Sequence, residues 1–280
     1  MISAFPTIAP GSGRLVLPAL MLALIAVESL ASRLGRRDAY DARETLATLA
    51  IAVGGRLIGA ATAGVAAAPV LWVYRHRLLD MPTTAPWSVA TLFLGVEFCY
   101  YWHHRAMHGV NWLWATHAVH HSSTRLNLSA ALRLGWGGNL SGGFLFYLPL
   151  VGLGFHPLAV LAMLGTGLLY QFFLHMAWAP NLGPLDWALN TPANHHVHHA
   201  ANDACRDRNF GSVLLVFDRM FDTFARAPAG EPLRFGVDGV DVRTGNPLRV
   251  AVVGWRPLVR AWRDAVSWRG RWIAVFGRPT

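Results

Sequence analysis

Lysine is missing altogether from these 280 residues, so the formal charge of +9 rests entirely on arginine. That balance suits anionic lipid headgroups and nucleic acid equally, and composition alone does not choose between them. Charge of either sign is scarce. Only 14% of residues are charged against 54% hydrophobic, whereas soluble domains carry about 25% charged residues. The bilayer is therefore the first environment to consider. Cysteine is nearly absent too. Cys99 and Cys205 are too few for a disulfide scaffold and lack the C-x-x-C spacing of zinc ribbons or thioredoxin-like sites, so both read as structural. Missing motifs exclude further chemistries. There is no H-E-x-x-H of a zinc protease, no E-x-x-H pair of the carboxylate-bridged di-iron bundles and no C-x-x-C-H for haem. The glycine-rich stretch Gly135 to Gly143 lacks the G-x-G-x-x-G spacing and a preceding strand, which leaves turns and packing to explain it. No internal repeat, low-complexity linker or separate domain boundary is visible.

What is present begins with apolar runs. Leu15 to Leu30 is apolar except for Glu28 and ends in Arg33, Arg36 and Arg37, a helix that spans about 30 Å of hydrocarbon if flanking residues contribute. It lacks the basic start and small-residue cleavage site of a signal peptide. Leu46 to Tyr74 is rich in Ala and Gly and contains Arg56, which places the expected spanning part at Leu57 to Val73. Trp87 to Trp102 runs straight into a histidine cluster. Gly142 to Leu153 and Leu158 to Leu174 are separated by Gly154, Phe155, His156 and Pro157, as expected for a helical hairpin. An amino terminus outside puts Arg33, Arg36, Arg37, Arg43, all histidine clusters and the arginine-rich carboxyl terminus in the cytoplasm, as the positive-inside tendency requires; Arg75 and Arg77 go against it. The segment Pro228 to Leu248 reads as irregular surface chain. Beyond it, Trp255, Val259, Trp262 and Val266 recur at helical spacing beside Arg256, Arg260 and Arg263. That pattern fits a helix lying in the membrane interface or one packed on the soluble part.

Histidine is the compositional outlier: of thirteen, twelve fall between His103 and His199, with His76 outside. The first cluster reads Glu97-Phe-Cys-Tyr-Tyr-Trp-His-His-Arg-Ala-Met-His108. His104 and His108 stand one turn apart on a helix face that Glu97 and Tyr101 extend, while His103, five residues from His108, is rotated off it. His117-Ala-Val-His-His121 sets histidines at i, i+3 and i+4, and His195-His-Val-His-His199 repeats the spacing with an extra His196. A lone histidine is usually packed or solvated; three clusters at one repeated spacing call for a shared ligand. Neutral imidazole binds iron, zinc and copper, and eight rings can hold two ions with positions left open.

These residues resemble the fatty acid hydroxylase and sterol desaturase superfamily over Glu97 to Phe224. The resemblance is carried by Tyr100 to His108, Trp114 to Ser122, Gly183 to His199, Asn209-Phe-Gly and Phe217-Asp-Arg-Met-Phe-Asp-Thr223. Gly183 to Asn190 looks most like the alkylglycerol monooxygenase and sterol C-5 desaturase branches; Phe217 replaces the usual Trp and Asp222 the usual Gly. The resemblance implies an all-α integral membrane protein, about four transmembrane helices bearing a cytoplasmic, helical, histidine-rich metal-binding cap. It implies two Fe ions held by His104, His108, His117, His120, His121, His195, His198 and His199, with His175 as a ninth ligand. The expected layout is a single membrane domain over 1–280: membrane helices in 14–95, the di-iron region in 96–227 including the hairpin 142–174, and a cytoplasmic or interfacial tail in 228–280.

The implied chemistry is O2-dependent hydroxylation or desaturation of a lipid C–H bond. Glu97 and Tyr101 are candidates for hydrogen bonds that orient His104 and His108. Each turnover needs two electrons, and with no fused cytochrome b5 or flavin domain in sight, an external donor of cytochrome b5, ferredoxin or flavin reductase type is expected. The expected partners are membrane and lipid substrate, not nucleic acid. The missing lysine suggests a GC-biased genome, hence a bacterial cytoplasmic membrane rather than endoplasmic reticulum. Two other readings are an acyl-CoA-type membrane desaturase and a non-enzymatic membrane metal transporter. The transporter predicts titratable groups inside the spans, whereas here the histidines sit at the ends of the apolar runs.

Overall fold

A computed structural model describes residues 13–238 and 245–279, so 239–244, within the expected irregular stretch, lie outside the described residues. Among the described residues there is no strand, only the isolated bridges Leu189–Leu214 and Ala200–Phe235. The chain is helical: α1 (Gly13–Leu34), α2 (Ala42–Ala61), α3 (Ala63–Arg75), α4 (Pro86–Gly109), α5 (Asn111–His121), α6 (Leu148–Leu153), α7 (Pro157–Leu174), α8 (Leu185–Ala188), α9 (Pro192–His199), α10 (Val216–Met220), α11 (Pro247–Ala251), α12 (Trp255–Asp264) and α13 (Trp268–Phe276).

Among the described residues, three stretches are long and apolar enough to cross a bilayer: Leu15–Leu34, Ala42–Ala61 and Pro157–Leu174. The second differs from the expected Leu57 to Val73 because the helix breaks at Thr62. There Asn139 donates its side-chain amide to the Gly59 carbonyl at 2.9 Å and to Thr62 Oγ1 at 3.2 Å. α4 has 24 residues, but from its midpoint onward it carries Glu97, Arg105 and three histidines.

α3, α4, α6 and α7 share one core. Leu92, Val96 and Cys99 of α4 meet Leu150, Val151, Phe155 and Val160, with Val70 and Val73 of α3 packed against them. The hairpin between α6 and α7 turns on Gly154 at φ 120°, where any Cβ would sit 2.0 Å from the Leu79 carbonyl oxygen; only glycine fits.

Glu28, the acid inside the first apolar run, is buried and fully used. Its carboxylate accepts from Tyr40 Oη at 2.5 Å, Leu128 N–H at 2.8 Å and Ala177 N–H at 2.7 Å. α1 is thereby fastened both to the turn after α5 and to the chain just past α7. A buried ion pair holds the end of α5: Arg133, with no exposed surface, donates to Ser122 Oγ at 2.9 Å and to Glu44 at 3.2 Å. α12 and α13 form a hairpin against α5, fixed by Asn111 N–H to the Gly277 carbonyl at 2.9 Å and the Asn111 amide to the Ala274 carbonyl at 2.8 Å. Of the two sequence readings for this segment, its inner side packs on the helical cap, and its outer side is exposed.

Candidate metal centre

Helix geometry decides how the histidines are shared. At about 100° per residue, rings at i and i+4 stand about 40° apart, while a ring at i+3 lies on the opposite flank. In α5, His117 and His121 accordingly enter one group and His120 another; in α9, His195 and His199 stay together and His198 crosses over. α4 adds His104 and His108, and His175, one residue past α7, joins from the membrane side of the chain. The result is a set of five (His104, His108, His117, His121, His198) and a set of four (His120, His175, His195, His199), the ligand nitrogens of each within 4.8 Å of one another. Neither set contains a carboxylate. Of the nine histidines singled out from the sequence, all nine are brought together, and the two set aside stay apart. His103 stacks on Phe146, and His196 donates to the Met176 carbonyl at 2.9 Å.

Which nitrogen faces inward is set by backbone carbonyls. His104 Nδ1 donates to Phe210 O at 2.8 Å, His175 Nδ1 to Gln171 O at 2.7 Å and His198 Nδ1 to Arg208 O at 2.8 Å. A neutral imidazole has one N–H, so in these three rings Nε2 is a bare acceptor. His104 Nε2 nevertheless lies 3.1 Å from His117 Nε2, and His175 Nε2 lies 3.2 Å from those of His120 and His195. His108 Nε2 and His198 Nε2 are buried with no partner. Acceptor nitrogens converging in a buried pocket suit a cation. Imidazole nitrogens bound at about 2.1 Å to one divalent ion are separated by about 3.0–3.4 Å at adjacent positions, which is the spacing found. The donor set fits a metal ion in each group.

Burial keeps the rings in the form that binds metal. It pushes His117, His121, His195, His198 and His199 far below the ordinary imidazole pKa and His120 down to about 3, with repulsion between neighbouring rings adding to it. Burial lowers His108 as well, but its Nδ1 reaches Asp207 at 3.4 Å, which opposes the shift, and the contact holds that exposed carboxyl below the usual range.

Glu97 and Tyr101 stand elsewhere than the sequence suggests. Glu97 precedes His104 by seven residues, about 10 Å along the axis, too far for its carboxylate to reach either ring. Instead it accepts the N–H groups of Val213 and Leu214 at 2.9 and 2.8 Å. The Tyr101 hydroxyl meets Thr223 Oγ1 at 3.0 Å and accepts from Arg105. Neither bonds to His104 or His108. The residue that sequence reasoning missed is Asp218. Fully buried, it accepts from Phe210 N–H at 2.7 Å, Gly211 N–H at 2.8 Å and Thr223 Oγ1 at 2.7 Å, and so fixes the peptide whose carbonyl orients His104. Asn209 completes this loop, at φ 56° with its amide on the Asn194 and Ala225 carbonyls. The only signal for either lay in the Asn209-Phe-Gly and Phe217-Asp-Arg motifs, which no periodicity singles out.

Residues 89–223, which hold every one of the nine histidines, match the family model described as fatty acid hydroxylase. The chain belongs to the fatty acid hydroxylase family. This hydroxylase-family chain is 38% identical to alkylglycerol monooxygenase of Xenopus tropicalis over 208 residues, 74% of its own length and 46% of the relative's. It is 42% identical to the Homo sapiens protein of the same name over 176 residues, 62% of this chain and 38% of that one. A bacterial relative, ornithine lipid hydroxylase OlsE of Rhizobium tropici, is 32% identical over 174 residues, 62% of this chain and 52% of the relative. These relatives put the chain in the alkylglycerol monooxygenase-like branch, and it spans about half their length or less. No solved structure matches it.

Proposed function

We propose that this membrane protein is an O2-dependent di-iron monooxygenase that hydroxylates a C–H bond of a polar lipid. The observation that carries the reading is the pair of all-histidine groups of five and four rings, sharing α5 and α9, with His175 at the end of the apolar α7. Hydroxylation is preferred to desaturation because the relatives are named monooxygenase and hydroxylase. Each group would hold one iron, which supplies, when bound, the one-electron chemistry needed to activate O2. An acyl-CoA-type desaturase is the weaker enzymatic alternative. Transport is disfavoured by the burial of every ring.

The chain's own contribution is positional. Carbonyls of Phe210, Gln171 and Arg208 turn His104, His175 and His198 inward, and Asp218 and Glu97 keep the Phe210 to Leu214 backbone in place. Burial of the rings limits access of water, and with neutral imidazole alone as donor, an ion held in either group would keep its full positive charge. Over a turnover, one oxygen atom enters the C–H bond and the other leaves as water. Two electrons come from an external donor of cytochrome b5, ferredoxin or flavin reductase type. We place the histidine groups on the cytoplasmic side of a bacterial membrane, in a single domain with the helices before residue 96 as its stem.

The test is to purify the full chain in detergent, load it anaerobically with ferrous iron, count iron per chain, and compare lipids of expressing and control cells under 18O2. About two irons and a lipid heavier by one labelled oxygen atom are expected. Failure to take up iron, or a lipid that loses two hydrogens with no label, refutes the assignment.

A further inference from the structure

The C-terminal hairpin lies outside the family-matched residues, and no side chain from it enters either histidine group. Pro247 onward contains seven arginines and a single acid, Asp264. One side of the hairpin is packed, through Leu258 and the bonds to Asn111. The other side is bare. Val266 at its tip is fully exposed, and Trp268, Trp272 and Phe276, at four-residue steps on one face of α13, are 72%, 62% and 54% exposed. Arg271 ties the two helices together, its guanidinium 4.7 Å from the Trp262 ring and 5.3 Å from Trp268. Arg256, Arg260 and Arg263 line an open groove along α12 with Trp255 and Val259.

Three aromatic side chains more than half exposed on one helix face need a cover. A second copy of the hairpin would bring like charge against like charge, five arginines to five. A bilayer offers the complementary pair: phosphates for the guanidinium groups and an acyl boundary for indole rings, which favour that depth. The hairpin is also fastened to Asn111, two residues beyond the end of α4, so it is held beside a helix that leads out of the apolar stem.

We infer that the α12–α13 hairpin lies on the headgroup layer of the bilayer that holds the chain's apolar helices, its arginines bound to anionic lipid phosphates and its Trp268–Trp272–Phe276 face in the acyl boundary. The hairpin anchors the histidine-bearing cap by gripping the surface through α5, the helix that contributes three of the nine rings. This inference rests on the membrane setting alone and stands whatever metal or reaction the histidines serve.

Cys99 and Cys205 are buried, so Val266→Cys in the full chain supplies a reactive thiol at the hairpin tip for a nitrobenzoxadiazole label. The labelled protein is reconstituted into vesicles of phosphatidylcholine alone or of an equimolar mixture with phosphatidylglycerol. Quenching by a nitroxide carried on the lipid chain is compared with quenching by aqueous acrylamide. Lipid quenching is expected to dominate in the phosphatidylglycerol vesicles and to weaken with added salt. Replacing Arg256, Arg260 and Arg263 by Gln should shift the ratio toward acrylamide by roughly fivefold per arginine; all three are exposed, so the fold is spared. A tip equally open to acrylamide in both vesicles and in detergent overturns the inference. So does protection that rises with protein-to-lipid ratio, the mark of a second copy.

Discussion

Removing the Asp218 carboxylate should loosen a histidine that it never touches. In Asp218→Ala, the N–H groups of Phe210 and Gly211 lose their acceptor inside a fully buried pocket. At about 1–3 kcal/mol per orphaned donor, the loss is about 2–6 kcal/mol, a large part of the roughly 5–15 kcal/mol that holds a domain folded. Asp218→Asn keeps one acceptor oxygen, costs about 1–3 kcal/mol by the same reasoning, and is the more informative variant. With the Phe210 peptide free to rotate, the His104 ring loses the carbonyl that directs it inward, and such supporting bonds are worth about 10–100-fold in metal affinity. Thermal unfolding in detergent should show a midpoint lowered by several degrees. Metal analysis after dialysis, with cobalt as a coloured substitute, should show loss from the five-histidine group and an altered visible spectrum. An Asp218→Asn protein with wild-type midpoint, metal content and cobalt spectrum would refute the reasoning.

Three further outcomes are expected. His108→Ala and His175→Ala should each lower metal content while giving different cobalt spectra, because they belong to different groups, whereas His196→Gln should leave both intact. In Gly211→Ala the new Cβ would stand 2.1 Å from the Leu214 carbonyl oxygen, so the loop must shift. The cost should be at least about 1–3 kcal/mol, read as a lower unfolding midpoint. Acid should weaken the metal-free protein. Burial depresses the folded-state pKa of the clustered rings, to about 3 at His120, so the unfolded chain binds protons first. Stability is therefore complete above about pH 6.5 and is lost as pH falls below it, each such ring costing about 1.4 kcal/mol per pH unit. An unfolding midpoint that is flat between pH 7 and pH 5 would contradict this.

Local rules carried the sequence reading far. Spacing of i, i+3 and i+4 marked eight rings that the fold brings together and set His103 aside, since helix periodicity is a property of the chain next to itself. The same rule carried one step further accounts for the division into two sets, where His120 and His198 cross to the set opposite their neighbours. What stayed hidden depends on distant pairing. Glu97 looked like a neighbour of His104, yet its partners are Val213 and Leu214, more than a hundred positions away. The break at Thr62 is likewise met by Asn139, far along the chain, and hydropathy alone drew the expected second span, Leu57 to Val73, straight across it. Asp218 serves backbone N–H groups, and such roles leave no trace in periodicity.

The Glu28 clamp bears on where this protein can be cut. A fragment trimmed to residues 89–223 would keep all nine imidazoles and the whole family signature. It would also strip the acceptor from Leu128 and Ala177, one seven residues after His121 and the other two after His175. A piece that keeps these bonds must therefore reach back past residues 89–223 to Glu28, and α1 is a brace for the histidine-bearing cap as well as an apolar span.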